Sequence, residues 1–574
     1  MTAAANGGVR RTSPAWSARI TEHEDRIFLL LAILIGALVG LAVVAFIVLT
    51  ERAGARIFPP GSAAWRRVLA PVVGALVVGP LLTLFFPEAR GSGVPQTKAA
   101  LYARGGYISL RTTLGKFFCT ALTLGSGIPL GREGPTVQVG GGIASVLGRW
   151  IGLSEAKVKS LIPVASAAAI ASAFNTPLAA VIFSLEEIMG DLHAPVLGPV
   201  VLSSATSWVV LRLMLGSEPL FHVPEYQLAH PVEFGIYAVL GVLGGFVSVA
   251  FVKLLLRMRA AFQRLPKKTE WLQPLAGGLA VGAMAWFVPQ VLGVGYSYVG
   301  AALDGNIALR LMVLLVVLKL FAVTLSYASG NAGGIFGPAL FLGAMVGGTV
   351  GSVAHQFFPA HTATSGAYAL VGMGALFAGI IRAPMTSVLM IFETTRDYNI
   401  IVPLMIANLT SFYISLRLQP RPIYEELASQ DGIHLPSGET REQQRRLRVS
   451  LAVRSGVQAL PASMSADQAL LKLRAESCRS WPVADARGVI GSVTISMLEK
   501  ECGKSPASRL VGELVEGGPF PHVHADQSLE LALERMGAAG LDVLPVVNRA
   551  DVRQLEGVVC LHEVLAVYGV RESA

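Results

Sequence analysis

An arginine and a glutamate stand side by side in a setting that makes charge costly. Residues 125–135 read Gly-Ser-Gly-Ile-Pro-Leu-Gly-Arg-Glu-Gly-Pro between two apolar runs. Four glycines and two prolines argue against a continuous helix there. In a bilayer, such broken backbone is tolerated only when buried in protein or lining a watery cavity, and Arg132 and Glu133 are expensive at that depth. A glycine-rich break that opens into a helix leaves free N–H groups at the positive end of the helix dipole, which is an anion site. Glu133 puts a carboxylate in or beside that site, where it competes with a bound anion. The plainer alternative is a polar surface loop with a helix-capping glutamate. Two other places carry usable chemistry. Ser92 lies in a second break, Pro87-Glu88-Ala89-Arg90-Gly91-Ser92-Gly93-Val94-Pro95, where its hydroxyl can donate to an anion or simply serve a turn. Glu186 and Glu187 end an apolar run, where a desolvated carboxylate titrates nearer neutrality and can take up a proton. The alternative for that pair is interfacial charge in contact with water.

A repeat positions these residues. At a constant offset of 203, Lys116, Phe118, Leu122, Ser126, Gly127, Gly131, Gly134, Pro135, Gly140 and Gly148 match Lys319, Phe321, Leu325, Ser329, Gly330, Gly334, Gly337, Pro338, Gly343 and Gly351. After a shift of four residues the match resumes, pairing Pro177 and Glu186 with Pro384 and Glu393. Two halves with an interrupted hydrophobic segment at corresponding positions point to a substrate site between them, near the membrane midplane. Phe336 stands where the first copy has Glu133, so the second break carries no acid.

The rest of the chain fits a membrane protein. Of 574 residues, 53% are hydrophobic and 14% charged, with mean hydropathy +0.58. Apolar runs at about 27–50, 67–86, 160–187, 194–215, 233–257, 271–293, 308–327, 367–392 and 400–418 are read as spans, several of them broken or tilted. The first is too long for a signal-peptide core and lacks a clear cleavage site. A polar loop with His222 and His230 joins the fourth and fifth runs. Basic residues flank spans: Arg10, Arg11 and Arg19 before the first, and Arg257, Arg259, Arg264, Lys267 and Lys268 near the middle. The positive-inside rule places both clusters in the cytoplasm. The net charge of +9 is therefore topological, and no nucleic-acid partner is expected. Cys119, Cys478, Cys502 and Cys560 include no close-spaced pair, which suits a reducing compartment rather than a disulfide framework. The expected organisation is a cytoplasmic tail (1–25), a membrane domain (26–425, repeats about 27–215 and 233–420), a linker (426–450) and two soluble units of mixed strands and helices (451–510 and 511–574).

With these residues in view, the membrane part resembles the CLC family of chloride channels and proton-coupled chloride transporters. Gly91-Ser92-Gly93-Val94-Pro95 is similar to the family's GSGIP element, with Val94 for isoleucine; Gly131-Arg132-Glu133-Gly134-Pro135 matches GREGP; Gly334-Ile335-Phe336-Gly337-Pro338 matches GxFxP; Tyr424 falls at the pore tyrosine. The soluble part resembles a tandem CBS-domain pair. The resemblance implies an all-α polytopic membrane domain of two inverted repeats with broken, tilted helices, followed by an α+β CBS pair. It implies that the Ser92 and Tyr424 hydroxyls and the N–H groups of Ile335 and Phe336 bind chloride. Glu133 is then the gating glutamate and Glu187 the internal proton glutamate of the exchanger branch. Ser92 favours chloride over the nitrate-preferring pattern, which has proline there, and the fluoride-exporting branch lacks the GREGP and GSGIP patterns kept here. A homodimer with one pathway per subunit follows, in the inner (cell) membrane of a prokaryote with both termini cytoplasmic.

The expected function is exchange of chloride for protons. The alternative on the same fold is a passive chloride channel in which Glu187 is merely interfacial. A remoter one is a CBS-regulated divalent-metal transporter using Glu186, Glu187, Asp191 and His193, although glycines and helix N-termini suit anions better. An enzyme is not expected: no nucleophile elbow, His-Glu-x-x-His zinc site or phosphate loop occurs. In the CBS pair, the positions that hold a ribose in nucleotide-binding relatives carry Thr494 with Met497, and Cys560 with Glu563. Adenine nucleotide therefore fits poorly, which leaves a structural or regulatory dimerisation role without ligand about as open as nucleotide sensing, and no other cofactor or bound metal is expected.

Overall fold

The computed structural model describes residues 24–57, 59, 61–192, 196–216, 221, 223, 230–435, 447–475, 478–502, 509–515 and 518–569. Arg10, Arg11, Arg19, His193, His222 and linker residues 436–446 lie outside the described residues. The chain divides into two units, Met1–Leu435 and Pro436–Ala574.

The first unit is helical and runs through one order of elements twice. The first pass is α1 (Glu24–Ile57), α2 (Ala64–Pro80, prolonged by a π turn), α3 (Val94–Ala103), α4 (Leu110–Gly125), α5 (Glu133–Trp150), α6 (Glu155–Phe174), α7 (Pro177–Phe183, running into a π turn, Ser184–Met189) and α8 (Leu197–Leu215). The second pass is α9 (Glu233–Gln263), α10 (Gln273–Phe287), α11 (Tyr296–Leu303), α12 (Leu309–Ala328), α13 (Phe336–Phe357), α14 (Ser365–Ile381), α15 (Pro384–Thr395) and α16 (Ile401–Leu418). A last short helix, α17 (Ile423–Gln430), carries Tyr424. Among the described residues, eight helices are long and apolar enough to cross a membrane, whereas α3, α11 and α15 are too short to do so alone.

Two expected spans are broken. The run at 160–187 ends α6 at Phe174, turns through Asn175 at φ 61°, and restarts at Pro177. The run at 367–392 does the same at Arg382, φ 69°, and Pro384. A left-handed residue stops each helix, and a proline, which needs no N–H partner at a first position, opens the next.

Small residues let the inner helices touch backbone to backbone. A Cβ on Gly347 of α13 would lie 2.0 Å from the Tyr368 carbonyl of α14, and one on Gly372 would lie 2.3 Å from the Gly343 carbonyl. In membranes, where burial in hydrocarbon drives no helix association, such close packing holds helices together. Outer faces carry large apolar side chains such as Leu30, Leu84, Leu213, Phe246 and Phe287.

The second unit holds two three-stranded sheets, ordered β2-β3-β4 and β1-β6-β5. The strands are β1 (Val453–Ser455), β2 (Leu460–Pro461), β3 (Ser480–Asp485), β4 (Gly488–Thr494), β5 (Val543–Val547) and β6 (Leu555–Cys560). Strand β1 pairs antiparallel with β6, while Val511 and Gly512 bond back to Met464 and Ala462 beside the first sheet. Each half thus lends the other a short segment.

Candidate anion pathway

Three glycine-rich breaks converge in the first unit. Gly131 and Gly334 exchange two backbone hydrogen bonds of 2.7 Å in an antiparallel bridge. The Gly333 N–H reaches the Gly91 carbonyl at 3.3 Å. The approach leaves no room for side chains: a Cβ on Gly93 would lie 2.4 Å from the Gly134 carbonyl, and one on Gly134 would lie 2.6 Å from the Ser92 carbonyl. The Ser92, Glu133 and Phe336 segments are therefore one packed site, built where the two repeats meet.

Glu133 is fully buried at the first position of α5. Its carboxylate leaves its own helix and takes an N–H bond from Gly337, 3.2 Å away in the first turn of α13. It also accepts from the Tyr296 hydroxyl at the start of α11. A carboxylate therefore sits at the positive end of the other repeat's helix, which is where an anion binds. Neighbouring Arg132 is buried, points to Glu51 at 3.4 Å and lies over the Tyr296 ring, 5.4 Å from its centre.

Ser92 and Tyr424 are buried, and neither hydroxyl oxygen has a hydrogen-bond partner among the described residues. The Tyr327 hydroxyl lies beside Ser92. An unsatisfied buried polar group costs about 1–3 kcal/mol, and a ligand at either hydroxyl would offset that cost. The Tyr424 ring stacks on Phe336 at 6.2 Å and 26°. Ile335 caps α13 and Phe336 opens it, so their N–H groups belong to the first turn, which has no partners within the helix. A cavity of about 610 Å³ reaches Gly91, Gln138 and Tyr327 from the side that carries Arg259, Lys267 and Asp431.

Glu186 and Glu187, adjacent in sequence, part company in the π turn. Glu186 caps the other repeat's α15, accepting from the N–H groups of Met385 (3.2 Å) and Thr386 (2.8 Å) and from the Thr386 hydroxyl (2.7 Å). Its repeat partner Glu393 returns the contact, accepting from Leu178 (2.9 Å) and Ala179 (2.7 Å) at the start of α7. Glu187 turns inward and forms a 2.8 Å ion pair with Lys98 of α3, with side chains 7% and 4% exposed. Among the described residues, no group of three or more His, Cys, Asp or Glu is placed to share a metal. In the second unit, Thr494 caps the helix that follows it, accepting from the Met497 N–H at 3.3 Å. Glu563 pairs with Arg454 at 2.9 Å and 3.0 Å.

Residues 74–416 match the family model described as voltage gated chloride channel. The chain belongs to the CLC family. Residues 511–569 match the CBS-domain model. The H(+)/Cl(-) exchange transporter ClcA of Vibrio campbellii is 34% identical over 353 residues, which is 60% of this chain and 75% of that protein. The ClcA exchange transporter of Salmonella arizonae is 33% identical over 414 residues, 70% of this chain and 87% of that protein. The solved structure of a slow cyanobacterial Cl-/H+ antiporter overlays with TM-score 0.65 at 26% identity, covering 70% of this chain and 97% of that one. A eukaryotic CLC transporter overlays with TM-score 0.61 across 93% of this chain and 97% of that one, at 20% identity, which speaks for the fold alone. This CLC protein is thus an integral, multi-pass membrane transporter with a C-terminal CBS region.

Two residues at this candidate site escape the sequence reading: Lys98 and Tyr296. Lys98 is a lone cation in a short apolar helix whose partner lies 89 residues away. Tyr296 has a signal that was available. Gly293-Val294-Gly295-Tyr296 stands 202 residues after Gly91-Ser92-Gly93-Val94, a second Gly-x-Gly break.

Proposed function

We propose that this CLC protein is a secondary active transporter that exchanges chloride for protons, gated by Glu133. The observation that carries the reading is the Glu133 carboxylate seated at the N-terminus of α13, where a chloride would otherwise bind. A carboxylate and a chloride compete for one set of N–H groups, so the charged side chain blocks the path. Protonation removes its charge and its hold on the helix end, and the side chain leaves. One proton thus gives access to the anion site, which couples the two flows. Helix ends and hydroxyls hold the anion by partial charges, weakly enough for it to move. In this reading, Ser92, Tyr424 and the N–H groups of Ile335 and Phe336 hold the central chloride. The glycines and prolines at Gly91, Gly93, Pro95, Gly131, Gly134, Pro135, Gly334 and Pro338 bring the backbones close enough to do so. Glu187 passes protons from the cytoplasmic side. The relatives named as exchange transporters support this assignment.

We further propose a homodimer with one pathway per subunit, in a cell membrane with both termini cytoplasmic, the orientation that the basic clusters flanking the spans support. The CBS pair is proposed to work without nucleotide, because Thr494 and Glu563 are both engaged within the domain. One observation favours the passive channel instead: the Lys98 ion pair already occupies Glu187.

Liposomes containing the purified protein decide between the two. Under an imposed chloride gradient, an exchanger drives protons uphill, and Glu187→Ala abolishes this while chloride still moves. Chloride flow without uphill proton flux in the parent protein would establish the channel.

A further inference from the structure

The repeat reaches further back than its most obvious matches, and its extension assigns Tyr296. In the first repeat, a short 3-10 turn (Pro87–Ala89) leads into Gly91-Ser92-Gly93 and then α3. In the second, a 3-10 turn (Pro289–Val291) leads into Gly293-Val294-Gly295 and then α11. All four glycines have positive φ, at 84° and 104° in the first loop and 61° and 88° in the second. Each loop is pinned by a fully buried lysine from the following long helix. Lys116 Nζ donates to the carbonyls of Ala89 (3.0 Å) and Gly91 (2.5 Å), and Lys319 Nζ to those of Val291 (3.0 Å) and Gly293 (2.6 Å). Each loop is also tied to the opposite repeat, Gly91 to Gly333 and Gly293 to Gly127. They are two copies of one device.

Both copies meet the Glu133 segment, with different chemistry. The first lays the Ser92 backbone against Gly134. The second brings the Tyr296 hydroxyl onto the Glu133 carboxylate. The Tyr296 ring is held by the Arg132 guanidinium, 5.4 Å from its centre, and by a T-shaped contact with the Phe221 ring at 5.4 Å. A hydroxyl on a clamped ring and a pinned loop has little freedom to lose when it donates.

We propose that Tyr296 is a latch on the gate: its hydroxyl holds the charged Glu133 in the anion path and releases it on protonation. This rests on the reading of Glu133 as the gate. A hydrogen bond to a carboxylate is roughly twice as strong as one to a neutral acid. The proton that removes the charge of Glu133 therefore also loosens the latch. Tyr296 is a positioning residue, acting on chloride only through Glu133.

The test is a cycle of four proteins in liposomes: parent, Tyr296→Phe, Glu133→Ala and the double variant, each assayed for chloride turnover and proton-to-chloride ratio. Tyr296→Phe keeps the ring and its contacts with Arg132 and Phe221. Losing a bond to a charged group shifts the balance between held and released Glu133 by about tenfold or more. Chloride turnover in Tyr296→Phe should rise severalfold and the proton-to-chloride ratio should fall, because the charged gate now leaves without a proton. In the Glu133→Ala background the same substitution should change neither quantity. Unchanged turnover and ratio in Tyr296→Phe would overturn the latch, as would an equal rise in both backgrounds. If Glu133→Ala itself behaves as the parent does, the gate reading fails and takes the latch with it, a result told apart by that single variant.

Discussion

Replacing Lys98 with methionine removes one partner of a buried ion pair at nearly constant volume, and the consequence can be worked from the geometry. The two groups are 2.8 Å apart with side chains 4% and 7% exposed. At an effective dielectric of about 20 their attraction is about 6 kcal/mol. Desolvating the two ions costs several kcal/mol each, so the intact pair contributes little net stability. Breaking it is another matter. Glu187 is left as a buried charge without its cation, a loss of about 3–5 kcal/mol. The pH dependence has a definite sign. The loss is borne where Glu187 is charged and shrinks as a proton neutralises it, so the variant's deficit should be larger at high pH than at low pH. The double variant Lys98→Met/Glu187→Leu buries no unpaired charge and should return to near the parent's stability at every pH. Thermal unfolding of the detergent-solubilised protein between pH 5 and 8 measures all three. A Lys98→Met protein as stable as the parent at pH 8 would refute the reasoning, as would a double variant no better than the single one.

The anion site makes two further predictions and the CBS region one. Ser92→Ala and Tyr424→Phe each remove a buried hydroxyl that has no partner among the described residues; chloride affinity by calorimetry should fall about tenfold or more for each, with thermal stability unchanged or raised. Gly93→Ala puts a Cβ 2.4 Å from a backbone carbonyl at φ 104°, which costs more than the ~1–2 kcal/mol of an ordinary left-handed residue; loss of chloride flux together with a lower melting temperature is the expected result. In the CBS region, burial first and the nearby Glu563 charge second push the Cys560 thiol up to about 12. It stays protonated through pH 9, so peptide mapping after maleimide treatment at pH 8 should find Cys560 unlabelled until denaturant is added.

Much of this site is legible in the sequence because its breaks are covalently marked. Glycine and proline at 91–95, 125–135 and 333–338 announce irregular backbone, and the 203-residue offset announces that two of the breaks must meet. The breaks at Asn175 and Arg382 are harder to see. Neither is a glycine, and each lies in a run apolar enough to read as one helix. Side-chain partners across long separations are not marked at all. Nothing near Lys98 names Glu187 as its partner, and nothing near Glu186 says that it will cap α15 while its neighbour turns inward. Those contacts depend on the π turn at Ser184–Met189, whose extra residue per turn re-aims successive side chains.

The repeat also separates scaffold from function. Residues that hold the architecture are the same in both copies: Gly131 and Gly334 bridge the halves, Lys116 and Lys319 pin the loops, Glu186 and Glu393 cap each other's helices. Residues assigned to transport differ between copies. Glu133 faces Phe336, Ser92 faces Val294, Val94 faces Tyr296, Lys98 faces Gly300 and Glu187 faces Thr394. A symmetric pair of helix ends would offer an anion the same environment from both sides of the membrane, with nothing to tell a proton when to move. Placing one carboxylate on one helix, and aiming it at the other helix's N-terminus, breaks that equivalence with a single side chain. The duplicated backbone supplies the paired helix ends, and the unduplicated side chains supply the proposed gate, latch and proton partner.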